Sequence, residues 1–224
     1  AGIGIVFGYL PAKKAAVLDG DGDAGRIITS APGQDKLEAT ITGRRAHAGV
    51  APEAGISAIQ VAATAISRMK LLRIDGETTA NIGTISSQYA TNIVPEVLTL
   101  EAEARSRDSA KLDRQSEHMV ECLRTACEQY GAKLEYRLTR AYSAFSYGED
   151  DPFVQEVMGA CHRAGLEPRL DATGGGSDAN NMNANGIKAL VLGTGMSKVH
   201  TVQEELAVKN LEDTAALVLA LIAR

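Results

Sequence analysis

From Lys36 onward the chain alternates. Leu37, Ala39 and Ile41 fall on one side and Glu38, Thr40 and Thr42 on the other, the period-two pattern of a half-buried strand. After a turn around His47, the residues Ile56, Ile59, Ala63, Ile66 and Met69 recur at helical spacing and predict an amphipathic helix to about Leu72. "TANIGTIS" and "EVLTLEAEARS" read as two strands. The second sets Leu98, Leu100, Ala102 and Ala104 against Thr99, Glu101, Glu103 and Arg105. Leu112, Met119, Leu123, Ala126 and Tyr130 then mark a second helix ended by Gly131, and "AKLEYRLT" is a fourth strand. The order from Lys36 to Thr139 is β-α-β-β-α-β. It predicts a ferredoxin-like α+β unit, a four-stranded antiparallel sheet with two helices on one face.

The flanks have another texture. "KKAAVLDGDGDAG" predicts a buried strand over Ala15 to Leu18 that ends at Asp19 in a Gly/Asp turn, and "GRIITSAP" a second strand closed by Pro32. "DPFVQEVMGACHRAG" predicts a helix with Asp151 as cap and Pro152 at its first position. "EPRLDAT" follows as a short strand, "GGGSDANNMN" as a glycine turn into a helix, and "IKALVLGTG" as an apolar strand suited to a sheet covered on both faces. "NLEDTAALVLALIAR" predicts a closing helix with Asn210 as cap. The expected fold is therefore a partial α/β domain at 1–31 and 141–224, interrupted by an α+β domain at 32–140. About four strands are few for such a layer, so apolar surface is expected around Val17, Val191 and the last helix.

Composition narrows the function classes. Of 224 residues, 45% are hydrophobic and 23% charged, with a net charge of -5, which argues against a nucleic-acid footprint. No apolar run is long enough to span a membrane, and the start lacks the basic region of a signal peptide. Cys122, Cys127 and Cys161 form no CxxC pair, as expected of reduced thiols in a cytoplasmic protein.

Several residues suit chemistry, each with a plainer alternative. Asp19 and His200 both follow buried strands and are of zinc-ligand type; the alternative is a turn cap and a loop histidine. Gly175 and Gly176, in "TGGGSDANN", would let backbone N–H groups approach an anion, or simply make a tight connection capped by Ser177 or Asp178. Arg105 suits a bidentate grip on a carboxylate, or a cross-strand ion pair; Asn92 suits a carbonyl or amide, or an Asx-turn. His118 with Cys122, and Cys161 with His162, read as a solvated imidazole beside a core-facing thiol.

In sequence order, "AAVLDGDGDAGRIITSAPGQDKLEATITGRRAHAGVAPEAGISAI", "TNIVPEVLTLEAEARSRD", "GGGSDANNMNANGI" and "GTGMSKVHTVQEE" resemble the co-catalytic zinc peptidase family of peptidase T, carboxypeptidase G and succinyl-diaminopimelate desuccinylase. The peptidase T-like aminopeptidases are the most similar branch, and the resemblance covers nearly all of 14–224. It implies a phosphorylase/hydrolase-like catalytic domain carrying two zinc ions, with Asp19 and His200 each holding one. It implies that His47 reaches the partner subunit's active site and stabilises the oxyanion. Asn92 and Arg105 would hold the backbone and carboxylate of a small peptide, Gly175 and Gly176 would line the site, and the inserted domain would be the lid of a homodimer. The family's HxD motif, bridging Asp and Glu-Glu pair have no match in these residues, and "AGIGIVFG" resembles the family's residues just after the Glu pair. The expectation is a C-terminal portion of a zinc aminopeptidase, inactive alone, or alternatively a non-catalytic dimerising or ligand-binding module.

Overall fold

The computed structural model describes residues 13–199 and 201–223. The chain forms two compact units, one of Ala1–Pro32 with Tyr142–Arg224 and one of Gly33–Ala141. The strands up to the second unit's end are β1 (Lys14–Asp21), β2 (Arg26–Ala31), β3 (Gly33–Thr42), β4 (Ala46–His47), β5 (Leu72–Arg73), β6 (Thr78–Ser86), β7 (Ile93–Val94), β8 (Val97–Ser106) and β9 (Lys133–Tyr142). Among them run helices α1 (Ala58–Arg68) and α2 (Ser109–Tyr130). The first unit resumes with β10 (Phe145–Ser146), α3 (Pro152–Arg163), β11 (Arg169–Ala172), α4 (Asp178–Ala184), β12 (Lys188–Ser197), β13 (Glu205–Leu206) and α5 (Val208–Ile222).

In the first unit β12 stands between β1, which it meets in parallel, and β2, which it meets antiparallel. Its wholly apolar run has a plain cause. Leu190 and Leu192 pack with Val154 and Val157 of α3 and Leu217 of α5, while Ala189 and Val191 pack on the other face with Ala179 of α4 and Phe145. Val17 and Val191 are buried, so the expectation of exposed surface around them is corrected: the helices cover both faces. The expectation holds only for α5, whose Val208, Leu211, Leu219 and Ile222 are exposed. Asn210 is not a cap either. The helix begins at Val208 after Ala207, and the Asn210 side chain instead donates to Asp23 Oδ1 at 3.2 Å.

In the second unit the sheet order is β5-β6-β8-β3-β9. β3 and β8 pair antiparallel over their full length, from Gly33↔Ser106 to Thr42↔Val97. Leu37, Ile41, Leu98 and Leu100 turn to one face and form one core with Val61, Ala65, Leu112, Met119 and Leu123 of the two helices. The α1 face differs from the sequence reading. Ala58, Val61, Ala62 and Ala65 are buried, whereas Ile59 and Ala63 are exposed, because small residues let the helix lie close to the sheet. Ser57 caps α1, Asp108 caps α2, and Gly131 ends α2 at φ 70°, a conformation that favours glycine.

Two polar devices tie this unit together. Lys70, just beyond α1, donates its N–H to His118 Nε2 (3.1 Å) and accepts from Gln115 Nε2 at its carbonyl (2.8 Å). His118 is thus a structural acceptor rather than a solvated imidazole. Asp35, 4% exposed, accepts from Ser116 Oγ at 2.7 Å and from both Nε and Nη2 of Arg140.

Candidate functional site

Small residues and a bridge shape the segment that carries His47. Arg44 and Ile56 exchange backbone hydrogen bonds of 2.9 Å, closing a loop over 44–56 that Pro52 stiffens with a short 3₁₀ turn. Within it β4 pairs with β7, Ala46 opposite Val94 and His47 opposite Ile93. His47 is exposed, and Asn92 adjoins its cross-strand neighbour in an exposed turn. Ala48 N–H donates to the Asn92 carbonyl at 2.9 Å, and Gly49 N–H donates to His47 Nδ1 at 3.2 Å. The unit therefore brings His47 and Asn92 together, although they are far apart in sequence.

Arg105 lies on β8, on the face away from the helices. Its Nε and Nη2 meet the two carboxylate oxygens of Glu103 at 2.9 and 3.0 Å, a bidentate pair along one strand face. Gln34 on β3, directly opposite Arg105, also donates to Glu103. The pair is thus within one strand, not across two, as period-two spacing allows. Arg105 is eight residue steps along β8 from Val97, so it stands about 27 Å from the end where His47 and Asn92 gather. One unit does not bring all three to one point.

In the first unit, β1 runs past its predicted end to Asp21, and its register with β12 shifts on both sides of Gly20. Asp19 is exposed at this irregularity, near the carboxyl end of a strand. The glycine loop is built tightly. Gly175 N–H donates to Thr173 Oγ1 at 3.2 Å, and Ser177 with Asn180 forms a capping box on α4. These bonds engage the N–H groups of Gly175 and Ser177, as a tight connection would. A Cβ on Gly176 would lie 2.3 Å from Tyr142 Cζ, so any larger residue requires the Tyr142 ring to move. Asn180, 1% exposed, donates to the carbonyls of Pro32 (3.0 Å) and Ser143 (2.7 Å) and accepts from Ser177 N–H (3.0 Å). Sequence reading set Arg105 next to Glu103 on one polar face, but passed over Asn180 and Gly49, whose roles carry no readable signal.

His200 lies outside the described residues. Among the described residues no group of three or more His, Cys, Asp or Glu is placed to hold a metal ion. Asp19 is one carboxylate, and one carboxylate does not make a zinc site. All three cysteines are buried and unbridged, and burial pushes each thiol pKa up, as suits inert core residues. Among the described residues no helix is long and apolar enough to cross a membrane.

Residues 29–131 match the peptidase dimerisation domain. The chain is similar to aminopeptidase PepT from Bacillus cereus ATCC 10987, with a TM-score of 0.89 and 41% identity over 95% of this chain and 57% of that one. It is similar to a tripeptidase from Staphylococcus aureus subsp. aureus mu50, with a TM-score of 0.91, 38% identity and the same shares of the two chains. Protein YqjE of Bacillus subtilis (strain 168) is 40% identical over 213 residues, 95% of this chain and 57% of that protein. The chain thus spans 57% of the length of each of these relatives.

Proposed function

Because this chain belongs to the peptidase T-like peptidase family, we propose that it is part of an aminopeptidase that cleaves small peptides as a homodimer. The observation that carries this reading is the separation within the inserted unit. His47 and Asn92 share one end, and Arg105 stands about 27 Å away along β8. A tripeptide is shorter than that, about 10 Å when extended. If all three serve one substrate, they come from two copies. His47 and Asn92 of one copy then meet the reacting amide, while Arg105 of the other grips the terminal carboxylate.

The chemistry assigned to these residues is binding and charge stabilisation. An imidazole N–H aimed at the developing oxyanion lowers the barrier by electrostatics, worth about 3 kcal/mol for a well-placed donor. Arg105, already spread against a carboxylate by Glu103, is oriented for planar recognition. The family resemblance implies two zinc ions, with Asp19 and His200 as ligands. Asp19 alone does not hold a metal, and the binding and charge-stabilising roles of His47, Asn92 and Arg105 do not depend on one.

The surface that supports a homodimer is the β6 edge. Past its pairing with β5 at Thr79 and Ala80, the strand continues through Ile85, which is 52% exposed and lines one groove with Leu72, 71% exposed, and Ile66 of α1. An open strand edge flanked by apolar side chains invites a second strand. Buried thiols and the acidic balance suit a cytoplasmic setting.

The experiment is tripeptide hydrolysis with zinc added, by this chain alone and by this chain joined to the N-terminal portion of the Bacillus cereus aminopeptidase. The expected result is no turnover alone and turnover when joined. Turnover alone contradicts the proposed inactivity of the isolated chain. No turnover in either favours the non-catalytic module.

A further inference from the structure

We infer that the backbone amide of Gly49 is the positioning group for His47, selecting the tautomer of its neutral imidazole that carries the proton on Nε2. The inference deepens the oxyanion reading of His47 and rests on it for its catalytic meaning. The geometry comes from two consecutive amides of one turn. Ala48 N–H is spent on the Asn92 carbonyl (2.9 Å), which locks the turn to β7. The next amide, Gly49 N–H, then faces Nδ1 of His47 at 3.2 Å. A nitrogen that accepts a hydrogen bond carries no proton, so the neutral ring must hold its proton on Nε2. The carbonyl of His47 accepts from Val50 (3.3 Å) and Ala51 (3.1 Å), so the backbone beneath the ring is held as well. His47 is exposed and lies opposite Ile93, the residue after Asn92, so the imidazole is open to whatever docks at this end of the unit.

A donor serves an oxyanion only in the correct tautomer and orientation, and holding both in advance removes a reorganisation cost at the moment of reaction. Gly49 touches no substrate in this scheme; it acts through His47. The residue itself is replaceable in space. A Cβ at Gly49 would sit 3.7 Å from the imidazole Cε1, an ordinary contact, so Gly49→Ala keeps the amide and the fold. Gly49→Pro removes the N–H.

The test is long-range ¹H–¹⁵N NMR of the histidine side chains on the full chain at mildly alkaline pH, with His47 assigned through His47→Ala. Wild type and Gly49→Ala are expected to show Nδ1 unprotonated and Nε2 protonated. Gly49→Pro is expected to show averaged shifts of a ring that samples both tautomers. A scalar coupling across the hydrogen bond between Gly49 N and His47 Nδ1 is expected in wild type, and it needs no variant. A protonated Nδ1, a missing coupling, or identical shifts in wild type and Gly49→Pro would overturn the inference. These readouts are independent of turnover. If the tautomer is fixed as described but His47→Ala leaves the joined enzyme fully active, the oxyanion reading fails and the positioning contact stands.

Discussion

Asp35 offers a direct way to test how the inserted unit is held where the chain enters and leaves it. It sits near the start of β3, Arg140 sits near the end of β9, and the Asp35 carboxylate joins them while also accepting from Ser116 of α2. Asp35 and then Asp113 hold the Arg140 pKa above its usual value, working against partial burial. Asp35→Ala leaves an Arg side chain that is 35% exposed and still paired with Asp113, so its desolvation loss is modest. It also strands the hydroxyl of Ser116, which is 2% exposed. Breaking a buried pair costs about 3–5 kcal/mol, and the exposure of Arg140 places this case near the lower figure. With a urea slope of about 2 kcal/mol per M, a loss of about 3 kcal/mol moves the midpoint down by about 1.5 M. Urea unfolding followed by circular dichroism measures the shift, and hydrogen exchange locates it. Faster exchange is expected in β3, α2 and β9 and not in β12. A midpoint change under about 0.3 M, or protection lost equally in β12, would refute the reasoning.

The geometry sets three further outcomes. Gly176→Ala should destabilise the chain by about 1–3 kcal/mol, because its Cβ would fall on the Tyr142 ring, and adding Tyr142→Ala should recover most of the loss in thermal melts. Asp75 accepts the N–H groups of Glu77 and Thr78 and pairs with Lys111, and the Glu77 N–H above all lowers its pKa from 3.8 to about 2. Its stabilisation is present above the ordinary value of 3.8 and disappears as pH falls through about 2, so Asp75→Asn should flatten the acid-unfolding curve in that window. An unchanged curve would count against the linkage. Ile85→Lys should turn a dimer into a monomer in light scattering without changing the circular dichroism spectrum, since the side chain is half exposed on the β6 edge.

What sequence alone conveyed depended on periodicity. The alternation along β8 is long and strict, and every residue from Leu98 to Ala104 that it assigns to the core is buried. The apolar run of β12 likewise signalled helices on both faces. The α1 face was read correctly at Ile56, Ile66 and Met69 but misread at Ile59 and Ala63, because Ile59 outweighs Ala58, Ala62 and Ala65 in hydropathy while close packing favours the alanines. Asn210 looked like a cap because it precedes an acidic turn, yet tertiary contact with Asp23 claimed it. The β4–β7 ladder is two residues long on each side, too short to show a period, so the meeting of His47 with Asn92 is invisible in sequence. The irregularity at Asp19 has no periodic signature either.

The central claim is that one substrate is held by His47 of one copy and Arg105 of another. Mixing His47→Ala and Arg105→Ala forms of the joined enzyme under exchange conditions tests it. Each variant alone is predicted to be nearly inactive. An equal mixture should form mixed dimers as half of its population, each with one intact site, which restores about a quarter of wild-type tripeptide hydrolysis. Mixed dimers that form yet recover no activity would contradict the account.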